Sequence, residues 1–170
     1  PLHLALHNGH THVVRYLIQH ETLQADRRCA IFRGKTLLLW ACEYGHFDIL
    51  QLLLERRGGS SAATTDRDKT SGGTALHLAC QRGSLGMVQY LIEQCEVPVN
   101  VRDRAGNTPL HVACSCGMGR NPATTGDGNS DAMASYLPMI EYLVLQADAD
   151  VHLRNHHAGL TAFHCACQVA

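Results

Sequence analysis

A chain of 170 residues, 45% hydrophobic and 17% charged, with a formal net charge of -1, can bury the core of one domain and has no bulk attraction for nucleic acid or a membrane surface. No apolar run approaches the ~18 residues of a membrane span. The opening PLHLALHNGH also lacks the charged-then-apolar layout of a signal peptide, so an intracellular, cytoplasmic protein is expected.

In chain order the first element is a short apolar helix within residues 1–9, followed by a second in THVVRYLIQ at 11–19. A polar segment leads to KTLLLWACEYG at 35–45 and then to FDILQLLLE at 47–55. GTALHLACQRG at 73–83 and LGMVQYLIEQ at 85–94 form the third pair, NTPLHVAC at 107–114 and PMIEYLVLQ at 138–146 the fourth. A last TAFHCAC begins at Thr161. Thr36, Thr74, Thr108 and Thr161 each open a helix as N-caps, and Pro109 suits a first helical position, where no N–H is needed.

These elements repeat. Counting from each threonine, glycine stands two residues before (Gly34, Gly72, Gly106, Gly159) and nine after (Gly45, Gly83, Gly117). Alanine stands five after, at Ala41, Ala79, Ala113 and Ala166. Pro1 acts as position one of a copy without its threonine, which supplies Ala5 and Gly9. The intervals are 36, 38, 34 and 53 residues, so the last carries an insertion, read as an 18-residue loop over 118–135. Glycine at position nine is expected to end each first helix with a positive φ. Polar stretches such as VRDRAGN read as projecting turns.

NTPLHVAC, GTALHLACQRG and LVLQADADVHLRN resemble the ankyrin repeat, and the likeness runs through nearly the whole chain. It implies an all-α solenoid of stacked helix-turn-helix units with β-hairpin fingers. That gives one domain over 1–170: a partial copy 1–33, copies 34–71, 72–105 and 106–158, and a partial copy 159–170. Both ends cut through repeats, so a fragment of a longer repeat protein is expected. The second copy departs from the pattern, with Leu39 in place of the motif histidine and Trp40 beside it.

The repeat also accounts for residues that otherwise suggest chemistry. HLAC at 77–80, HVACSC at 111–116 and HCAC at 164–167 look like half metal sites. Yet His3, His77, His111 and His164 share position three, which the resemblance makes a structural hydrogen-bonding residue. Cys42, Cys80, Cys114 and Cys167 share position six, where cysteine serves as a small hydrophobe and a reduced thiol is expected. Cys29, Cys95, Cys116 and Cys165 lie off that slot and are read as open to exposure. Zinc needs four convergent ligands, whereas these pairs are spread one per repeat. No metal, cofactor, catalytic residue or small-molecule substrate is expected, and the fragment is not read as an enzyme. Asn100 holds the hairpin asparagine position, which in that family is a target of asparaginyl hydroxylation; it is read first as a turn residue.

The expected function is protein interaction, as a scaffold presenting finger and inner-helix residues on one concave face. The alternative is the regulatory or substrate-recruiting region of a larger enzyme. Of 14 lysines and arginines, nine fall between the repeats: Arg27, Arg28, Arg33, Lys35, Arg67, Lys69, Arg102, Arg104 and Arg154. With His156 and His157 they suggest a positive edge for an acidic peptide or loop. Nucleic acid is disfavoured, because Phe32 alone supplies a stacking aromatic there.

Overall fold

The computed structural model describes residues 2–20, 35–56, 66–117, 131–156 and 158–167. Nine helices lie among them: α1 (Leu2–His7), α2 (Thr11–His20), α3 (Leu37–Tyr44), α4 (Phe47–Arg56), α5 (Ala75–Arg82), α6 (Leu85–Glu93), α7 (Pro109–Ser115), α8 (Asp131–Leu145) and α9 (Ala162–Cys167). None is long and apolar enough to cross a membrane.

The inner helices after α1 start on their threonines. Thr36, Thr74 and Thr108 hold extended backbone at the N-cap, with ψ of 162°, 175° and 165°. In the third and fourth repeats the histidine three residues on completes the cap. The Thr74 N–H donates to His77 Nδ1 at 3.2 Å and the Thr108 N–H to His111 Nδ1 at 3.3 Å, while each threonine hydroxyl lies within 3.0 Å of the same nitrogen. Nδ1 is thereby an acceptor, which assigns the ring proton to Nε2. His77 Nε2 then donates to Asn107 O at 3.0 Å and His111 Nε2 to Leu160 O at 3.1 Å, each in the following repeat. In the second repeat Leu39 has no imidazole to offer. Its own N–H donates to Thr36 Oγ1 at 3.3 Å, and its side chain is fully buried.

The helices form two layers. Inner helices stack in the order α1, α3, α5, α7, α9, and outer helices pack as α2 on α4 and α6 on α8. The core runs between the layers through Leu38, Leu50, Leu76, Met87, Met139 and Leu143, each 1% exposed or less. Aromatic tyrosines pin the outer layer to it. Tyr142 Oη donates to Glu93 Oε1 at 2.8 Å, and burial together with that carboxylate pushes the phenol up to about 12.

Turn glycines behave as expected at Gly9, Gly45 and Gly83, with φ of 68°, 81° and 77°. Gly117 does not: the backbone passes through a π-type turn at Cys116 and Gly117 without a positive φ. Tyr136 lies across both Gly83 and Gly117, its ring 3.0 Å from where a Cβ on Gly83 would stand and its own Cβ 3.0 Å from one on Gly117, and its hydroxyl donates to Gln81 O at 2.7 Å.

The inserted stretch also differs from the sequence reading. Residues 118–130 lie outside the described residues, but 131–135 are the first residues of α8 and not loop. By residue type Ala132, Met133 and Ala134 are strong helix formers. A consequence is that Pro138, expected at the harmless beginning of the outer helix, sits inside a 15-residue helix and removes one ladder donor. The fingers carry hairpin-type closing bonds, yet no strand is present among the described residues, only an isolated antiparallel bridge between Arg154 and Thr161.

Two outcomes follow from this packing. A Cβ on Gly106 would stand 2.6 Å from the His156 ring and 2.7 Å from its backbone nitrogen at a φ of 78°, so Gly106→Ala should cost at least ~2 kcal/mol in chemical denaturation. Gly86, in α6 with nothing within 4 Å, should instead gain about 0.5 to 1 kcal/mol on mutation to alanine.

The imidazole ties predict a pH dependence. Burial lowers the pKa of His77 and His111 below the ordinary 6.5, although the carbonyl bonds pull the other way. The folded state therefore binds protons less readily than the unfolded chain. Stability should be full above pH ~6.5 and decline as pH falls below it. Thermal melts between pH 7.5 and 5 should show a shallower decline for His77→Leu, which copies Leu39, than for the parent; equal slopes would contradict the assignment.

Candidate interaction surface

Three fingers are described, and each is closed around one acid or amide. In the finger that leads into the third repeat the Asp68 N–H donates to Gly73 O and the Gly72 N–H to Asp68 O, both at 2.8 Å. The Asp68 carboxylate takes the Thr70 N–H at 3.1 Å, the Ser71 N–H at 3.2 Å and the Ser71 hydroxyl at 2.8 Å. Burial works against its charge, but these bonds and nearby Lys35 prevail and hold its pKa below the ordinary carboxylate value. Asp103 repeats the role, accepting from the Asn107 N–H at 2.8 Å. Asn155 repeats it again, accepting from Ala158 and Leu160.

An arginine precedes each of these residues and ties one finger to the next. Arg67 Nη1 donates to Gly72 O of its own finger at 3.1 Å and to Arg102 O of the next at 2.9 Å. Arg102 Nη1 donates to Gly106 O at 3.2 Å and to Arg154 O at 2.7 Å. Arg154 Nη1 reaches Gly159 O at 3.1 Å. The sequence reading took these arginines as display residues only. The signal it missed was the recurrence of Arg67-Asp68, Arg102-Asp103 and Arg154-Asn155 before the finger glycines. A second set of ties runs through the tips: Arg104 N–H to Ser71 O, Arg104 Nη1 to Thr70 O at 3.2 Å, and His156 N–H to Ala105 O.

The remaining sequence candidates separate clearly. Lys35 does not line the cleft described below and is not displayed, being buried and paired with Glu43 at 2.7 Å. Lys69, Arg67, Arg104, Arg154 and His156 are exposed and Arg102 is half-buried. Arg27, Arg28, Arg33 and His157 lie outside the described residues. Asn100 is exposed at a turn, where its Oδ1 accepts the Asp150 N–H at 2.9 Å.

What the edge forms is a cleft of roughly 230 Å³ between the third and fourth fingers, lined by Arg67, Asp68, Lys69, Gly72, Arg102, Asp103 and Arg104. Four cationic heads face two carboxylates there. Asp68 and Asp103 spend their oxygens on turn N–H groups, whereas a guanidinium has five N–H donors and the bonds to Arg67 and Arg104 each use a single nitrogen. The cleft can therefore attract and hydrogen-bond an anion, and no aromatic lines it.

Histidines and cysteines hold the fold. Among the described residues no group of three or more His, Cys, Asp or Glu is arranged to hold a metal ion. His164 repeats the Thr161 contact at 2.7 Å on an exposed helix. Cys42, Cys80 and Cys114 are buried at position six, and so, against expectation, are Cys95 and Cys116, which face the core between repeats. Cys165 is half-buried and Cys167 exposed; Cys29 lies outside the described residues. Burial pushes Cys114 and Cys116 up to about 11 and Cys42 and Cys80 further still, which suppresses the thiolate.

Comparison with known proteins gives a family and several partial relatives. A family model described as Ankyrin repeats (3 copies) matches residues 1–66 and 59–122. The chain is 31% identical over 125 residues, 74% of its length, to the Oryza sativa subsp. japonica protein named Probable E3 ubiquitin-protein ligase XBOS33. It is 34% identical over 92 residues, 54% of its length, to E3 ubiquitin-protein ligase XBAT33 of Arabidopsis thaliana. Rabankyrin-5 of Mus musculus is 29% identical over 118 residues, 69% of this chain. These matches span 23%, 17% and 10% of the respective relatives.

The thiol geometry is checked by maleimide labelling of the native protein with peptide mapping. Cys165 and Cys167 should react first and Cys42 and Cys80 last. Cys80→Ser should cost about 1 to 3 kcal/mol, because it buries a hydroxyl among apolar neighbours, and Cys80→Ala should cost less. Rapid labelling of Cys80 would contradict the packing.

Proposed function

Because the chain belongs to the ankyrin-repeat family, we propose that it works as a protein-docking module whose partner presents an acidic peptide or loop to the finger edge. Ankyrin repeats are generally protein-interaction modules, and a stack held by ties between neighbours offers a rigid extended surface. The observation that carries the acidic partner is the cleft between the third and fourth fingers, where four cations meet two carboxylates already spent on the turns. Charge of this kind raises association rate and selects partners more than it raises final affinity. The absence of aromatic residues from the cleft lining supports peptide over single-stranded nucleic acid. A reducing, intracellular setting belongs to this reading, in keeping with cysteines buried at one slot of successive repeats as small hydrophobes.

A second reading is favoured by the names of two relatives. One is named an E3 ubiquitin-protein ligase and the other a probable one, and the matched region is a small share of each. The chain would then be the substrate-recruiting part of a larger enzyme, docking its substrate through the same cleft.

The experiment uses an oligoglutamate peptide as probe. Lys69→Glu with Arg104→Glu should slow its association about tenfold at low salt and much less at high salt, since exposed charges are screened beyond about 10 Å at 0.1 M. Arg102 is spared because its carbonyl bonds hold two fingers together. A rate unchanged in both conditions would overturn the acidic-partner reading.

A further inference from the structure

We propose that Thr70, at the rim of the cationic cleft, is a phosphate acceptor for an arginine-directed protein kinase, and that its phosphorylation shuts the cleft to an acidic partner. The inference rests on the docking reading above and adds its regulation.

Two hydroxyls stand side by side at the tip of this finger, and the structure separates them. The Ser71 hydroxyl is spent inside the turn, donating to Asp68 Oδ2 at 2.8 Å and accepting the Gly73 N–H at 3.1 Å. Thr70 enters the turn through its backbone alone: its N–H donates to Asp68 Oδ1 at 3.1 Å and its carbonyl accepts from Arg104 Nη1 at 3.2 Å. The residue itself is exposed. Arg67 stands three positions before it, the spacing at which an arginine-directed kinase places an acidic subsite, and the nitrogens of Arg67 outside its carbonyl bonds are available for that contact.

The transfer is ordinary phosphoryl chemistry. Thr70 Oγ1 bonds to the γ-phosphorus of Mg·ATP, and the bond from that phosphorus to the β–γ bridging oxygen breaks. ADP leaves with the electron pair, and the hydroxyl proton passes to the kinase's carboxylate base. The product carries about two negative charges and three strong acceptors. Those acceptors would sit beside Lys69 and beside the guanidinium of Arg104, which already lies on the Thr70 carbonyl. The ionised residues lining the cleft, Arg67, Lys69, Arg102 and Arg104 against Asp68 and Asp103, leave it at +2. One phosphate brings that sum to roughly zero. The attraction that steers an acidic peptide is lost without unfolding the finger.

The test treats the whole chain with the catalytic domain of an arginine-directed kinase and Mg·ATP, maps phosphate by tandem mass spectrometry, and measures association of oligoglutamate at low salt. Ser60, three residues after Arg57, and Thr36, three after Arg33, share the sequence spacing, so incorporation is scored by site. Phosphate on Thr70, absent in Thr70→Ala, restored at the same position in Thr70→Ser, and accompanied by at least tenfold slower association, supports the proposal. Phosphate elsewhere only, or phosphate on Thr70 with an unchanged association rate, overturns it. If unmodified protein shows no charge-dependent association at all, the acidic-partner reading has failed and the switch falls with it, whatever the map shows at Thr70.

Discussion

The structure depends on a single imidazole used twice. At His77 and His111 one ring nitrogen accepts from the N-cap of its own helix, and the other donates to a carbonyl of the next repeat. That carbonyl also closes the neighbouring finger: Asn107 O takes the Asp103 N–H and Leu160 O takes the Asn155 N–H. A carbonyl oxygen has two lone pairs, and here both are filled. Helix start, finger closure and spacing between repeats are thereby fixed by one neutral side chain. Such a tie is directional, which apolar burial is not, so it sets register where the leucines supply cohesion.

The finger edge is governed by a competition between cohesion and display. Arg67, Arg102 and Arg154 form a ladder that ties each finger internally, and at Arg67 and Arg102 also to its neighbour, through carbonyls. A guanidinium suits both tasks, since its planar fork satisfies oxygens on one side while its charge remains felt on the other. The edge is therefore cross-tied and cationic at once.

Much of the fold was legible because a repeat states each rule several times. The recurring threonine, alanine and glycine mark helix starts, close helix contacts and turns. At position three the resemblance to a known repeat, together with the recurrence of the histidine, led to a structural reading. Residues outside the repeat were harder. Asp131 to Ala134 sit at the end of a run rich in Gly, Asn and Thr, and composition alone assigned them to the loop, whereas the helix they begin is fixed by packing downstream at Tyr136 and Met139. Cys95 and Cys116 had no slot to argue their burial. The cleft was legible as charge but not as geometry: a sequence counts Lys35 with the finger cations, and only its pairing with Glu43 removes it.

Leu39 gives the solenoid an unequal joint. Between the second and third repeats the finger carbonyl of Gly73 receives the Asp68 N–H, and Leu39 has no donor to add to it. The junction keeps extensive apolar contact between α3 and α5, with Leu39 and Trp40 buried in it. Contact of this kind resists pulling apart but is indifferent to small rotations about the contact. The register of α3 against α5 therefore rests on apolar shape, where the next two junctions add an imidazole bond.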